Sequence, residues 1–318
     1  MQGVLRIGTR DSQLAVWQAT LVQSLLKQQG TPSELVYIKS EGDIDTVTPL
    51  YALGVQGIFT KTLDAALLSG RIDIAVHSMK DVPTILAQGI QQAAVLKRAS
   101  YKDILVYKNK NIVSEWQLDE ASQISPLPVE GVIATSSIRR IAQWLHRYPN
   151  HTIENLRGNV NTRLRKVEES SWHGAIFAAA GLERINVRPE NSIDLDWMLP
   201  APAQGAIMIV CRTGDDAAFD ACQSFNDRDT ALCTKIERDF LNTLMGGCST
   251  PISALASVEN GEVVLKGNIC SRNGAQLQAL EMRANKNEAS GLGIRAANEL
   301  LQNSIAQQIM TDIRNAKG

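Results

Sequence analysis

The chain lacks most of the features that usually mark a function. Aromatic residues are only 5% of its 318 positions, too few to offer stacking platforms for single-stranded nucleic acid. The cysteines, Cys211, Cys222, Cys233, Cys248 and Cys270, are odd in number and form no Cys-x-x-Cys pair, so neither a disulfide framework nor a zinc site is expected. His77, His146, His151 and His173 show no ligand spacing either, and no metal is expected. Acids and bases nearly cancel, giving a formal net charge of -1. A pI near 6.5 is unlike that of a general nucleic-acid binder. No apolar run approaches the ~20 residues of a membrane helix. Residues Met1 to Arg10 carry no apolar signal-peptide core, so a reducing cytoplasmic location is expected. Gly8-Thr9-Arg10-Asp11-Ser12 is not a Walker loop, and no Gly-x-Gly-x-x-Gly follows a strand, which leaves nucleotide binding with little support.

What remains is a composition of 44% hydrophobic and 20% charged residues, that of a globular enzyme. The length predicts two or three domains. Val4 to Gly8 reads as a short strand, Ser12 as a helix N-cap, and Leu14, Trp17, Leu21 and Leu25 as a helix that Gly30 stops. A strand from Glu34 to Lys39, a helix around Phe59 to Ser69 and a strand from Ile72 to His77 follow. The same plan recurs with strands at Val132 to Thr135, Thr152 to Leu156 and Gly174 to Phe177, with Ser136 or Ser137 capping a helix after the first. Two parallel α/β units with polar strand ends are predicted. Ala206 to Cys211 reads as a strand that returns to the first sheet. In the last third, a helix from Asp229 to Met245 precedes a hairpin about Asn260-Gly261 and one long helix from about Ser290 to Arg314, a small α+β domain.

Charge is concentrated between Gly131 and Lys166. Arg139, Arg140, Arg147, Arg157, Arg163, Arg165 and Lys166 stand there against the single acid Glu154. A guanidinium matches carboxylates and phosphates with two bonds at a time. A solvated basic face is the plain alternative, and Arg147, Arg165 and Lys166 suit it. Arg139, Arg140, Arg157 and Arg163 instead follow strands, where open α/β sheets bind ligands, and Gly158 allows close backbone approach. At another strand end, His77-Ser78-Met79-Lys80-Asp81 combines a donor, a cation and a carboxylate. Lys80 and Asp81 could be an ordinary surface pair. Facing an anion site, Asp81 would stabilise a developing cation and Lys80 would hold an anion. Cys248 lies among small residues in a helix break, whereas the other cysteines read as packing residues.

Six segments together resemble the porphobilinogen deaminase (hydroxymethylbilane synthase) family. They are Leu5-Arg6-Ile7-Gly8-Thr9-Arg10, Val76-His77-Ser78-Met79-Lys80-Asp81-Val82-Pro83 and Ala134-Thr135-Ser136-Ser137-Ile138-Arg139-Arg140, then Leu156-Arg157-Gly158-Asn159-Val160-Asn161-Thr162-Arg163-Leu164, Ala203-Gln204-Gly205-Ala206 and Gly246-Gly247-Cys248-Ser249-Thr250-Pro251-Ile252. The resemblance runs in order from Leu5 to about Ala256. It implies two periplasmic-binding-protein-like α/β domains around a cleft, plus a small α+β domain carrying a cofactor cysteine. The implied boundaries are 1–98 with 206–224, 99–205 and 228–318.

The implied reaction condenses four porphobilinogen molecules head to tail, releases ammonia each time and ends in hydrolysis to hydroxymethylbilane. It needs a dipyrromethane cofactor, which by resemblance is held through a thioether on Cys248 and gripped by Ser78, Lys80, Asp81, Thr135, Ser137, Arg139, Arg140 and Arg163. Arg10, Ser12, Gln18, Arg157, Arg163, Arg184 and Gln204 match substrate-side positions. Asp81 is the expected catalytic carboxylate, set against the cation left when ammonia departs. Departures fall at Ala52 and Gln56, where many members have lysine, and at Glu41, Glu183 and Ala203. A monomer is expected, with porphobilinogen as its small-molecule substrate and no nucleic-acid or membrane partner. The competing reading is a two-lobed small-anion binding protein without catalysis.

Overall fold

The computed structural model describes residues 3–39, 60–118, 129–246 and 250–315. In chain order, β1 (Leu5–Thr9), α1 (Gln13–Gln28), β2 (Ser33–Tyr37), α2 (Lys61–Leu68), β3 (Ile74–Ser78) and β4 (Ile90–Val95) come first. Next are β5 (Asp103–Tyr107), α3 (Asn111–Glu115), β6 (Val132–Ala134), α4 (Ile138–Arg147), β7 (Thr152–Glu154), α5 (Val160–Glu169), β8 (Gly174–Ala178), α6 (Ala179–Glu183) and β9 (Ser192–Asp194). Then follow β10 (Ile207–Arg212), α7 (Asp216–Gln223), α8 (Arg228–Thr243), β11 (Ile252–Glu259), β12 (Glu262–Cys270), β13 (Leu277–Asn285), α9 (Leu292–Leu300) and α10 (Ser304–Asn315).

The described residues fall into two compact units. One comprises 3–39, 60–99 and 205–232; the other comprises 100–118, 129–204, 233–246 and 250–315. The first unit is built on a sheet of order β2-β1-β3-β10-β4. Ser12 caps α1 by accepting the Ala15 N–H, as its position predicts. The buried face of α1 is Ala15, Gln18, Ala19, Val22 and Leu26, while Trp17, Leu21 and Leu25 pack along its flank. The large apolar residues therefore marked the edge of the buried stripe, and small residues let the helix approach the sheet at its centre. β10 does return to this sheet, lying antiparallel between β3 and β4. Its sequence, Ile207-Met208-Ile209-Val210-Cys211, is buried throughout, as a strand covered on both faces requires.

The second unit contains two sheets. Its α/β sheet has the order β7-β6-β8-β5-β9. The parallel trio β7-β6-β8 reproduces β2-β1-β3, and β5 runs antiparallel beside β8 as β10 does beside β3. The expectation of wholly parallel sheets is corrected by these antiparallel strands. β4, β5 and β9 went unread because they carry no alternation, or are only three residues long.

The other sheet is the antiparallel meander β11-β12-β13. Asn260 (φ 50°) and Gly261 (φ 85°) form the expected two-residue hairpin turn, both in the left-handed region such a turn demands. β13 was not expected. The single long C-terminal helix is also corrected: it is α9 and α10, separated at Leu301–Asn303. The first helix ends at its C-cap Leu301, and Asn303 caps the second, accepting the N–H groups of Ile305 and Ala306. The result is two α/β sheets and a small three-stranded α+β portion, the architecture anticipated.

Candidate active site

In both α/β sheets the strand order reverses beside the first strand, between β1 and β3 and again between β6 and β8. Open α/β sheets bind ligands outside the carboxyl ends of strands at such a switch point. Arg10, Ser12, Ser78, Lys80, Asp81, Thr135, Ser137, Arg139, Arg140 and Arg157 sit at or just past such ends, whereas Gln18, Arg163, Arg184 and Gln204 lie on helices or in a turn.

In the first unit, Arg10 and Ser12 follow β1, while Ser78 ends β3 and Lys80 and Asp81 lie in the 3-10 turn Met79–Asp81. This turn is held at its start by the Met79 N–H donating to the Ala206 carbonyl, 3.0 Å. Gln18 is buried on the core face of α1, and its Nε2 donates to Ser78 Oγ at 2.9 Å. That bond joins two residues that the sequence placed in different roles. Asp81 is partly exposed and makes no ion pair among the described residues. Behind it His77 is buried, and burial, reinforced by the charge of Arg10, lowers its imidazole to about 4.

In the second unit, Thr135 is buried just past β6, and its Oγ1 accepts the Ser137 N–H at 3.3 Å. Ser137 is the N-cap residue of α4 by position but makes no side-chain cap. Ser136 turns to the neighbouring strand end, accepting the Leu156 N–H (2.9 Å) and donating to the Leu156 carbonyl (2.8 Å). Beyond β7, Arg157 is buried, and Asn159 caps α5 by accepting the Thr162 N–H. Gly158 has φ 113°, and a Cβ there would meet Thr162 Cγ2 at 2.8 Å. The Gly158 carbonyl accepts Arg163 Nε at 2.7 Å, so this backbone turn fixes the Arg163 side chain. Arg184 follows α6, and burial pushes its guanidinium down to about 10 against the opposing charge of Glu183.

The residue that organises this cluster escaped the sequence reading. Asp103 heads β5 with 0% exposure. Its Oδ1 accepts Arg140 Nη2 (2.7 Å), Arg140 Nε (3.1 Å) and Gln204 Nε2 (2.9 Å), and its Oδ2 pairs with Arg139 Nη2 at 2.7 Å. Burial alone would raise this carboxyl, but Arg139 and Arg140 outweigh it and hold Asp103 well below the usual carboxylate range. Arg140 Nη1 also donates to the Ile176 carbonyl and Arg139 Nη1 to that of Leu199. An acid at the head of the apolar run Ile104-Leu105-Val106-Tyr107 was the available signal. Both arginines, expected on ligand carboxylates, thus have an internal counter-ion.

Arg147 corrects the surface assignment. It is only 8% exposed, donates to Tyr148 Oη and to the Gln117 carbonyl, and lies 4.8 Å from the Trp197 ring centroid. The aromatic cluster of Trp116, Trp144, Tyr148 and Trp197 draws it inward by cation–π attraction. Arg165 is exposed and pairs only weakly with Glu169 at 3.7 Å, as a helix-surface charge should. Lys166 is half-buried and donates to the Arg157 carbonyl. Glu41, Ala52, Gln56 and Cys248 lie outside the described residues. No cluster of His, Cys, Asp or Glu suited to a metal occurs among the described residues.

Residues 5–220 match the family described as porphobilinogen deaminase, dipyromethane cofactor binding domain, and residues 231–302 match porphobilinogen deaminase, C-terminal domain. The chloroplastic porphobilinogen deaminase of Oryza sativa subsp. japonica is 42% identical over 86% of this chain and 75% of its own length. The porphobilinogen deaminase of Syntrophotalea carbinolica is 39% identical over 93% of this chain and 92% of its own. That of Pelotomaculum thermopropionicum is 39% identical over 95% of each. Among solved structures, the VFT2 domain of Bordetella pertussis BvgS aligns at 13% identity with a TM-score of 0.41, over 69% of this chain and 84% of that one. The two family-domain matches and the three relatives are to an enzyme family and set aside the reading of a clamp without catalysis. With both family domains matched in order and relatives aligned over most of its length, the chain belongs to the porphobilinogen deaminase family.

Proposed function

We propose that the chain carries out the reaction of its family through the strand-end clusters of its two α/β units. It is a transferase of tetrapyrrole biosynthesis, a hydroxymethylbilane synthase. Four porphobilinogen molecules are joined head to tail, one ammonia leaves with each, and water then releases the linear tetrapyrrole. Every pyrrole brings an acetate and a propionate, so the ligand is a polycarboxylate that grows by two acids per step.

One observation carries the assignment of residues. At the β6/β8 switch point two buried guanidinium groups, Arg139 and Arg140, share the one buried carboxylate of Asp103. Burial lowers Arg139 despite Asp103, with Arg140 adding to the effect. Arg139 Nε is buried with no acceptor among the described residues. Carboxylates arriving here would supply the missing counter-charge, so the residues present fit a dipyrromethane group. Ser78, Lys80, Asp81, Thr135, Ser137, Arg139, Arg140 and Arg163 would hold it, with Cys248 as its covalent anchor. When bound, that group supplies the ring end at which the new carbon–carbon bond forms.

The chain's own residues do the rest. Arg10, Ser12, Gln18, Arg157, Arg163 and Arg184 bind and orient porphobilinogen, while Gln204, whose amide nitrogen is directed at Tyr101 O and Asp103 Oδ1, serves the site from behind Asp103. Lys80 holds a ligand acid beside Asp81. The Asp81 carboxylate stabilises the positive charge that develops on the pyrrole as ammonia leaves, and relays protons to the leaving amine and from the ring carbon. The protein acts as a cytoplasmic monomer on a small molecule, with no nucleic-acid or membrane partner. The buried thiols of Cys211, Cys222, Cys233 and Cys270 form no disulfide, which supports a reducing compartment. No described helix is long and apolar enough to cross a membrane. Three domains, bounded as the sequence suggests, are supported by the three separate sheets.

The test is stoichiometry. Purified protein given porphobilinogen should release four ammonia molecules per hydroxymethylbilane formed. Binding without ammonia release would sink the proposal.

A further inference from the structure

The segment Pro200–Gly205 passes directly behind the arginine pair and has no regular structure. Its Leu199 neighbour accepts both Arg139 Nη1 (2.8 Å) and Gln143 Nε2 (3.0 Å) on one carbonyl. Its Gln204 reaches Tyr101 O (2.8 Å) and Asp103 Oδ1 (2.9 Å) with one amide nitrogen. Between them Ala203 is fully buried at φ 62°, a left-handed conformation that a residue with a Cβ adopts only under constraint.

The constraint comes from Glu237 on α8, which has 0% exposure. Its Oε2 accepts the Ala203 N–H at 2.6 Å, and its Oε1 accepts the Ala256 N–H of β11 at 2.7 Å. Both bonds are charge-assisted. A buried carboxylate thus ties α8 and β11 to the backbone one residue before Gln204. From there the contacts run through Gln204 to Asp103 and on to both guanidinium groups.

We propose that Glu237 is a positioning residue for Arg139 and Arg140, acting through Ala203, Gln204 and Asp103. This rests on the reading above, in which that pair faces ligand carboxylates. Glu237 touches no reacting atom. It fixes the turn that presents Gln204, and Gln204 shares with the arginines the single carboxylate that aims them.

The test is a double-mutant cycle of Glu237→Gln and Gln204→Ala, with Ile309→Ala as a control from the buried face of α10. Two quantities are read: the rate at which an arginine-selective dicarbonyl labels Arg139 and Arg140, mapped by mass spectrometry, and the KM for porphobilinogen. Glu237→Gln should raise both by about ten-fold while the variant stays folded. The double variant should be no worse than the worse single variant, because the two residues act in series. The control should lose stability and leave both readings unchanged. Additive effects, or a folded Glu237→Gln with unchanged labelling and KM, would overturn the proposal. If Glu237→Gln does not fold, Glu237→Asp, which withdraws the carboxylate by one methylene, carries the same cycle. A wild type that consumes no porphobilinogen would refute the functional reading instead, and the labelling cycle would still decide the role of Glu237.

Discussion

Asp103 and Asp81 are both aspartates at the ends of β-strands, yet their surroundings give them opposite tasks. Asp103 is sealed from water and bound by two guanidinium groups and an amide. Replacing it with asparagine would leave Arg139 and Arg140 buried without their counter-ion. The expected loss is about 3–5 kcal/mol of unfolding free energy, read by denaturant melts. Asp81 is partly open and is spent on no internal ion pair among the described residues. Asp81→Asn should therefore fold normally and keep the cofactor mass while losing most turnover; near-normal turnover would remove Asp81 from the mechanism. The placement of Arg139, Arg140 and Asp81 just past strands was legible in the sequence because they stand in dense polar motifs. Asp103 and Glu237 were not: Asp103 is one acid at the head of an apolar strand, and Glu237 is one of three acids, with Asp229 and Asp239, along a charged helix. Only the fold reveals which donors converge on them.

At the level of elements, the loop from Leu156 to Asn159 shows how backbone geometry sets a side chain. Gly158 adopts φ 113°, its carbonyl receives Arg163 Nε, and Asn159 starts α5. Gly158→Ala forces a Cβ against Thr162 and strains the turn, which should cost about 1–3 kcal/mol. Arg163 would lose its aim with it, so KM should rise alongside the drop in melting temperature. Strands and helices with clear punctuation were legible: the Ser12 cap, the Asn260-Gly261 hairpin and the returning β10. β5 and β13 were missed for opposite reasons. Tyr107 and its apolar neighbours in β5 show no alternation, because both faces are covered. β13 does alternate, with half-buried Leu280, Met282 and Ala284 between exposed Glu281, Arg283 and Asn285, but as an edge strand it has no fully buried residue to mark it. The split between α9 and α10 was hidden because Leu300 and Leu301 continue the apolar periodicity straight into the break.

For the whole molecule, buried imidazoles predict an acid limit to stability. Burial lowers His77 to about 4, with Arg10 adding to it, and burial lowers His151 to about 4, with His173 adding to it. His151 Nδ1 accepts the Trp144 indole N–H at 3.1 Å, a role that needs the neutral ring. In the unfolded chain both rings take a proton near pH 6.5. Between about 6.5 and 4 the unfolded state therefore binds more protons, and stability must fall as pH drops through that window. Chemical denaturation at a series of pH values should show this decline. It should weaken in His151→Phe, which cannot titrate. Below the usual aspartate range, near pH 4, a further loss sets in as Asp103 protonates on unfolding, because its folded carboxyl is held lower by Arg139 and Arg140. The repeated order of strands was legible as a pattern of strand, polar tip and helix, and β10 as a returning strand, but the antiparallel direction in which β10 and β5 join their sheets was not. They join from distant positions in the chain, and no local pattern reports such pairing.

If a pyrrole chain fixed at Cys248 grows among these residues, the active protein carries its primer as a covalent adduct. Intact-mass measurement of the active purified protein, followed by peptide mapping, tests it most directly. An adduct of two linked pyrrole units located on Cys248 is expected. Active protein with Cys248 unmodified would contradict it.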